Sequence, residues 1–264
     1  MRLSIVTPSF NQGEYVAATV ESVLAQKATA DVQYIVVDGL STDGTQTVLE
    51  RFRDVLDHLL IEPDDGQADA LRKGFELADG EICAYLNSDD TLLPGTAAWV
   101  CDYFARHPQV DVLYSHRLFA DEHGRIFKFW LLPPHSDYLM SRWDYIPQET
   151  CFWRRSVVER FGGIDPSFQF AMDYEFFARI MPHVRFRRVN RFLATFRQHS
   201  ASKTSQLIDT VGQREITRVR DLYGISISRF DLQIARLLHI FIDRTDRALR
   251  RLLLHRERWR RFAP

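Results

Sequence analysis

LSIVTPSFNQGEYVAATVESVLAQKATADVQYIVVD, residues 3–38, sets the fold class. LSIV (3–6) and VQYIVV (32–37) are apolar runs of strand length. Between them, Tyr15–Gln26 spaces its apolar residues three and four apart, as an amphipathic helix does. The alternation continues outward. HLLIE (58–62), EICAYL (81–86) and DVLYS (111–115) predict strands, while Thr45–Phe52, Gln67–Leu77 and Pro94–Arg106 predict helices. Strands separated by helices imply an α/β fold, a mostly parallel sheet with helices on both faces. Such a sheet takes its ligand at the carboxyl ends of the strands, so the residues following each strand carry the functional reading.

Past residue 115 the pattern changes. HRLFADEHGRIFKFW (116–130) predicts a hairpin turning at Glu122–Gly124, and TCFWRR (150–155) predicts another strand. SVVERFGG is a short helix closed by a glycine cap, Met172–Ile180 a second, and Val184–Val189 and Arg191–Arg197 two further strands. From Leu207 onward the chain is expected to be wholly helical.

The 264 residues, 45% of them hydrophobic, suffice for one sizeable α/β domain or two small ones. Their 34 basic and 35 acidic residues argue against nucleic acid as a partner, but the balance hides an asymmetry. Residues 206–264 hold 13 Arg and no Lys against 7 acids, a charge of +6 that leaves −7 on the remainder. Cys83, Cys101 and Cys151 are widely spaced with no C-x-x-C, which argues against a zinc ribbon or disulfide framework and fits a reducing compartment. MRLSIVTPSF enters a strand at once, leaving no room for a signal peptide, and no stretch approaches the ~18–20 apolar residues of a spanning helix. A soluble, cytoplasmic protein is expected.

Polar and acidic residues collect behind the strands. The first strand ends in Thr7-Pro8-Ser9-Phe10-Asn11 and the second in Asp38. The third runs into Glu62-Pro63-Asp64-Asp65-Gly66-Gln67-Ala68-Asp69, and the fourth into Asn87-Ser88-Asp89-Asp90. Adjacent carboxylates repel unless a cation or a donor network absorbs their charge. Mg²⁺ commonly takes one or two carboxylates plus substrate phosphates, so Asp89-Asp90 reads as a metal–phosphate site; a helix-capping turn is the simpler alternative. No G-x-G-x-x-G follows the first strand, and neither G-x-x-x-x-G-K-[ST] nor G-x-S-x-G occurs, which removes support for dinucleotide, P-loop and α/β-hydrolase folds.

TPSFNQGEYVAATVESVLAQ, IVVDGLSTDGT, EPDDGQADALRKGF and AYLNSDD, in that order, resemble the family 2 glycosyltransferases of GT-A fold. GGIDPSFQFAMDYEFFARI resembles the region carrying that family's catalytic base, and FRQHSASKTS its late Arg-x-x-His segment. The likeness covers residues 1–205. It implies a GT-A type mixed, mostly parallel sheet, divided into a nucleotide-sugar-binding half (1–115) and an acceptor-binding half (116–205), with 206–264 as a basic helical extension. It implies Mn²⁺ or Mg²⁺, a nucleotide-diphosphate sugar such as a UDP-sugar, and inverting transfer of one sugar to a glycan or lipid-linked acceptor.

Carried over residue by residue, the resemblance makes Asp90 the metal ligand of the acidic pair and turns Asp89 toward the ribose or donor sugar. His199 becomes a second ligand or a phosphate contact. Asp173 takes the position of the general base that inverting transfer needs, with Glu175 its rival because Met172 stands where the family usually has Glu. Thr7, Pro8, Ser9 and Asn11 match the loop along base and ribose, Asp38 the acceptor for a pyrimidine N3–H, and Gly66, Gln67 and Asp69 the start of the next helix, where Lys73 lies one turn on. Trp130, Trp143, Tyr145 and Trp153 are candidates to stack on acceptor sugars. The Gln-x-x-Arg-Trp motif of processive members is absent. The competing readings are a catalytically silent nucleotide- or glycan-binding module and a sugar-1-phosphate nucleotidyltransferase. Between Asp231 and Arg261, apolar residues at helical spacing beside Arg244, Arg247, Arg250, Arg251, Arg256, Arg258, Arg260 and Arg261, with Trp259 and Phe262 among the last charges, predict a membrane-surface or homodimer contact, hence peripheral attachment.

Overall fold

The computed structural model describes residues 1–200, 202–249, 259–260 and 263–264. Its first half is β1 (Leu3–Ser9), α1 (Val16–Leu24), β2 (Val32–Asp38), α2 (Thr45–Glu50), β3 (His58–Ile61), α3 (Gln67–Glu76), β4 (Ile82–Tyr85), β5 (Thr91–Leu92) and α4 (Thr96–Arg106). β6 (Val112–Ala120), β7 (Ile126–Trp130), α5 (Asp137–Arg142), β8 (Phe152–Arg154), α6 (Arg155–Phe161), α7 (Met172–Ile180) and β9 (Phe186–Arg197) follow. The chain then turns helical through α8 (Lys203–Leu207), α9 (Gln213–Leu222) and α10 (Arg229–Leu249).

One sheet runs in the order β3-β2-β1-β4-β8-β6-β9-β5, with β7 beside β6. β1, β2, β3 and β4 are parallel; β8 pairs antiparallel with both β4 and β6; and β6 is parallel to β9. The mixed, mostly parallel sheet expected from the alternation is therefore the one found. Strand alternation divides the core between its faces. Leu3, Ile5, Tyr34 and Val36 pack toward α1 and α4 with Val20, Val100 and Phe104. Val6, Ile35 and Val37 pack on the other side with Leu71, Tyr114, Trp153 and Phe176.

Three expectations are corrected. The strands expected at Val184–Val189 and Arg191–Arg197 are one, β9, in which the apparent break is a bulge. Its register against β6 shifts between Tyr114 and His116, and Asn190 in the irregular stretch accepts from His116 Nε2 at 2.8 Å. The last part of the chain is not continuously helical either. α9 stops at Gly224 (φ 63°), and an irregular stretch precedes α10. The described residues of 206–264 are also held against the body. Asp246 accepts from the Phe129 amide at 2.8 Å, and Trp259 is buried with Leu93, Leu118, Phe129 and Phe192. That corrects the expectation of Trp259 among surface charges. Arg250, Arg251, Arg256, Arg258, Arg261 and Phe262 lie outside the described residues.

Candidate active site at the strand ends

The loops after β1 and β2 are laced together. Ser41 donates from N to Asp38 Oδ1 (2.8 Å) and from Oγ to Asp38 Oδ2 (2.7 Å), while its Oγ accepts from the Asn11 amide (2.8 Å). Asn11 Oδ1 accepts from the Thr42 amide at 2.9 Å. Asp38 is fully buried with both oxygens engaged, and Thr7, also buried, meets the Tyr34 hydroxyl at 3.1 Å. Both side chains are thus engaged beneath the loop, Asp38 with Ser41 and Thr7 with Tyr34. Pro8 and Ser9 are buried at the end of β1, whereas Asn11 remains partly exposed.

Asp64, which the sequence reading passed over, is the acid beside this loop. A Cβ at Gly39 would lie 2.5 Å from Asp64 Oδ2, so the missing side chain after β2 is what admits the Asp64 carboxylate. Burial raises its pKa. Asp64 Oδ1 accepts from the Gly66 amide at 2.9 Å, and Gly66, at φ +108°, opens α3 in a conformation that other residues rarely take. Asp69 turns to its own helix, bonding Arg72 at 3.0 and 2.8 Å, with Lys73 at 3.5 Å. Lys73 itself reaches Pro63 O (2.6 Å) and Glu62 (3.0 Å).

Gln67, by contrast, stands in a polar chain across the strand ends. Lys203 Nζ donates to Gln67 Oε1 (2.6 Å) and Gln67 Nε2 to Asn87 Oδ1 (2.7 Å). Asn87 Nδ2 donates to Gln148 Oε1 (3.4 Å), and Gln148 Nε2 to Tyr85 O (2.6 Å). Lys203 is four residues beyond His199, in the segment that carried the late motif, yet only its position beside Gln67 marks it as functional.

The acidic pair divides inward and outward. Asp90 is fully buried; its Oδ1 accepts from the Arg197 amide at 2.9 Å, and its backbone carbonyl accepts from Thr19 Oγ1 at 2.7 Å. Asp89 keeps 16% of its side-chain surface and meets His199 Nε2 through Oδ2 at 3.0 Å. Asp89 is thus the carboxylate that meets His199, while Asp90 is bonded to β9 through the Arg197 amide. Arg197 adds a bond from Nε to Asp89 O at 2.8 Å. Asp89 Oδ2 and His199 Nε2 lie within hydrogen-bond distance of each other, and no cluster of three or more His, Cys, Asp or Glu is gathered as for a metal among the described residues. Asp90 Oδ2 is buried with no hydrogen-bond partner among the described residues. Burial, then the charges of Asp89 and Glu149, push the Asp90 carboxyl far up. A cation beside Asp89 relieves that repulsion, so the donor set fits Mn²⁺ or Mg²⁺ with two protein ligands and the rest from diphosphate and water.

Across the site, α7 presents Asp173 in its first turn, partly exposed. Burial raises its pKa, while bonds from the Tyr174 and Asp173 amides and the charges of Arg117 and Lys203 pull it down. Asp144 lies close enough for its charge to be felt there. Burial and then Asp173 push the Asp144 carboxyl much further up, and its Oδ1 has no hydrogen-bond partner among the described residues. Burial thus pushes both carboxyls up, and the charge on Asp173 is felt by Asp144. Glu175, two residues on, is buried and held by Arg179 (2.9 and 3.0 Å) and the Tyr223 hydroxyl (2.6 Å).

The loop entering α7 is fixed by Glu215 of α9, whose carboxylate accepts from the amides of Gln169 (2.8 Å), Phe170 (2.7 Å) and Ala171 (2.9 Å). Glu215→Ala leaves three amides short of an acceptor and is expected to cost about 1–3 kcal/mol in denaturant unfolding. It should also lower turnover with UDP affinity unchanged. Of the aromatic candidates for acceptor stacking, Trp153 and Tyr145 are 1% exposed and belong to the core; Trp130 and Trp143, partly exposed with rings 6.2 Å apart, remain at the surface.

The model of glycosyl transferase family 2 matches residues 4–161, more than half of the chain. The chain belongs to this family. Among relatives, an uncharacterised glycosyltransferase of Nostoc sp. is 26% identical over 177 residues, 63% of this chain and 55% of its own length. The match thus spans little more than half of that relative. Among solved structures, Staphylococcus aureus TarS 1–349 in complex with UDP-GlcNAc has a TM-score of 0.67 at 18% identity, covering 85% of this chain and 66% of that one. The Pyrobaculum calidifontis mannosyltransferase PcManGT, in complex with GDP-Man and Mn²⁺, has a TM-score of 0.64 at 17% identity, covering 86% and 65%. These likenesses show that the glycosyltransferase has the GT-A fold. No helix among its described residues is long and apolar enough to cross a membrane.

Proposed function

We propose that this glycosyltransferase moves one sugar from a nucleotide-diphosphate sugar, a UDP-sugar first among them, to a hydroxyl of a glycan or lipid-linked acceptor, with inversion at the anomeric carbon. What supports this reading most is the Asp89–His199 pair behind β4 and β9, with the desolvated Asp173 at the start of α7. Asp173 takes the proton of the acceptor hydroxyl as its oxygen attacks the anomeric carbon and the bond to the diphosphate breaks. A single base serves inversion. Asp89 and His199 hold a divalent cation, which when bound offsets the charge growing on the leaving diphosphate. That the related fold of PcManGT was solved with GDP-Man and Mn²⁺, and TarS with UDP-GlcNAc, supports a metal and a nucleotide sugar here. Asp64 takes the part first given to Asp38, accepting a base N–H beside Gly39. Ser9, Asn11, Gly66 and Gln67 line ribose and phosphates, and Lys203 meets the diphosphate. Residues 1–115 serve the donor and 116–205 the acceptor, with Glu215 and Trp259 tying 206–264 to both.

Release of UDP from a UDP-sugar panel by the purified protein, with and without Mn²⁺, tests the reading. Turnover supports a transferase; metal-dependent UDP binding without any turnover indicates a silent binding module, and formation of nucleotide triphosphate from added diphosphate a nucleotidyltransferase.

Lys203 adds a pH signature. Burial lowers its pKa to about 8, so the ammonium is present below that value and lost above it. Donor affinity is expected to fall as pH rises through about 8. Lys203→Met should remove that limb and weaken UDP binding by roughly tenfold or more, the worth of one charge-assisted hydrogen bond. Calorimetric titration of UDP between pH 6.5 and 9 checks both.

A further inference from the structure

α10 has two faces. Asp231, Ile242 and Asp246 are buried on one, where Asp231 accepts from the Tyr138 hydroxyl and pairs with Arg142 at 3.1 Å, and Asp246 accepts from Phe129. The opposite face presents Phe230, Leu237, Ile240 and Phe241 with 64%, 66%, 42% and 60% of their surface exposed. At about 100° per residue, Phe230, Leu237 and Phe241 fall within about 40° of arc, a single stripe along the helix. Arg244 lies beside that stripe, Arg229 and Arg236 flank it beyond Ile240, and all three are exposed. Asp231 and Asp246 are both turned to the body.

We propose that this stripe docks on an anionic lipid surface, with Phe230, Leu237, Ile240 and Phe241 in the acyl boundary and Arg229, Arg236 and Arg244 among the headgroups. A run of large exposed apolar side chains marks an interaction surface, and its one-sided basic flank selects an occupant that is both apolar and anionic. A second copy of the chain meets that description poorly, because a twofold contact sets the same arginines against one another. The groove between α5 and α10, lined by Trp143, Leu232 and Leu238, lies on another face of the same helix. Trp143 is followed by Asp144 of the acidic site, so a docked α10 brings the bilayer to the acceptor side. This last step, delivery of a lipid-linked acceptor, rests on the proposed function; the docking itself does not.

The full chain, sedimented with phosphatidylglycerol–phosphatidylcholine vesicles and with phosphatidylcholine alone, tests the docking. Binding to the anionic vesicles, weakened by salt, is expected, with far less on the neutral ones. The double variant Leu237→Asp/Phe241→Asp changes only exposed positions, and Arg236→Glu/Arg244→Glu only the flank. Each is expected to weaken partitioning on the order of tenfold or more, with thermal midpoint and UDP binding kept. Equal pelleting on neutral and anionic vesicles, or wild-type pelleting matched by both variants, overturns the proposal. So does a wild-type dimer, seen by light scattering, that binds no vesicles and becomes monomeric in the Leu237/Phe241 variant. UDP binding, measured on the same samples, separates failure of the docking from failure of the transferase reading.

Discussion

Asp173→Asn is expected to lower sugar transfer by about 10²–10⁴-fold, the usual worth of general base catalysis, while UDP and UDP-sugar continue to bind. Asparagine keeps the shape of the side chain and the oxygen that accepts the Tyr174 amide at 2.9 Å, but takes no proton. Because burial raises the Asp173 pKa, transfer in the wild type should climb with pH through a range above the ordinary carboxylate one, as the base loses its proton. The Asn variant should lose that limb. Glu175→Gln is the control on the same helix. Its carboxylate is spent on Arg179 and Tyr223, so its loss should loosen α7 and leave most of the turnover. Turnover and donor affinity are read separately, by UDP release and by calorimetry. An active Asp173→Asn beside an inactive Glu175→Gln would move the base to Glu175.

The second large effect concerns two adjacent residues of identical chemistry. Asp89→Asn is expected to abolish the extra thermal stabilisation that Mn²⁺ gives in the presence of UDP, because it removes one of only two protein ligands and the charge that draws the ion. Asp90→Asn should retain it. The Asp90 side chain is fully buried with Oδ1 turned to the Arg197 amide, and asparagine preserves the oxygen that accepts it. His199→Ala should resemble Asp89→Asn more weakly, since phosphate oxygens and water still complete the coordination. Thermal shift with UDP alone, Mn²⁺ alone and both together isolates the metal-dependent part. A reversed outcome, Asp90→Asn failing and Asp89→Asn binding, would restore Asp90 as the ligand.

The fold class was legible because its signal is local and repeated. Each of β1 to β4 is a short apolar run, each helix between them has a 3.6-residue period, and neither depends on distant residues. The rim of strand ends was legible for the same reason: a parallel sheet sends each strand's last residues to one edge, whatever packs on its faces. β9 was misread as two strands because Asn190 looks like punctuation. Its tolerance inside a strand comes from His116 of β6, which gives the amide a partner. Asp64, Asp144, Lys203 and Glu215 were passed over because none stands in a local pattern. Each acquires meaning from a residue far along the chain: Gly39, Asp173, Gln67 and the amides before α7.

The sequence by itself determined a parallel-type sheet, a rim rich in carboxylates, and a family resemblance that the match over residues 4–161 bears out. What only the tertiary structure decided is the direction in which each side chain of that rim points. Asp89 and Asp90 differ by one position, and nothing nearby in the chain ranks them. The choice is made by the Arg197 amide, 107 residues away, which holds Asp90 inward, and by His199, 110 residues away, which meets Asp89. Asp38 is held in place by the hydroxyl and amide of Ser41, which no local pattern announces. Burial sets the ionisation of a carboxyl, and burial is a property of the packed chain.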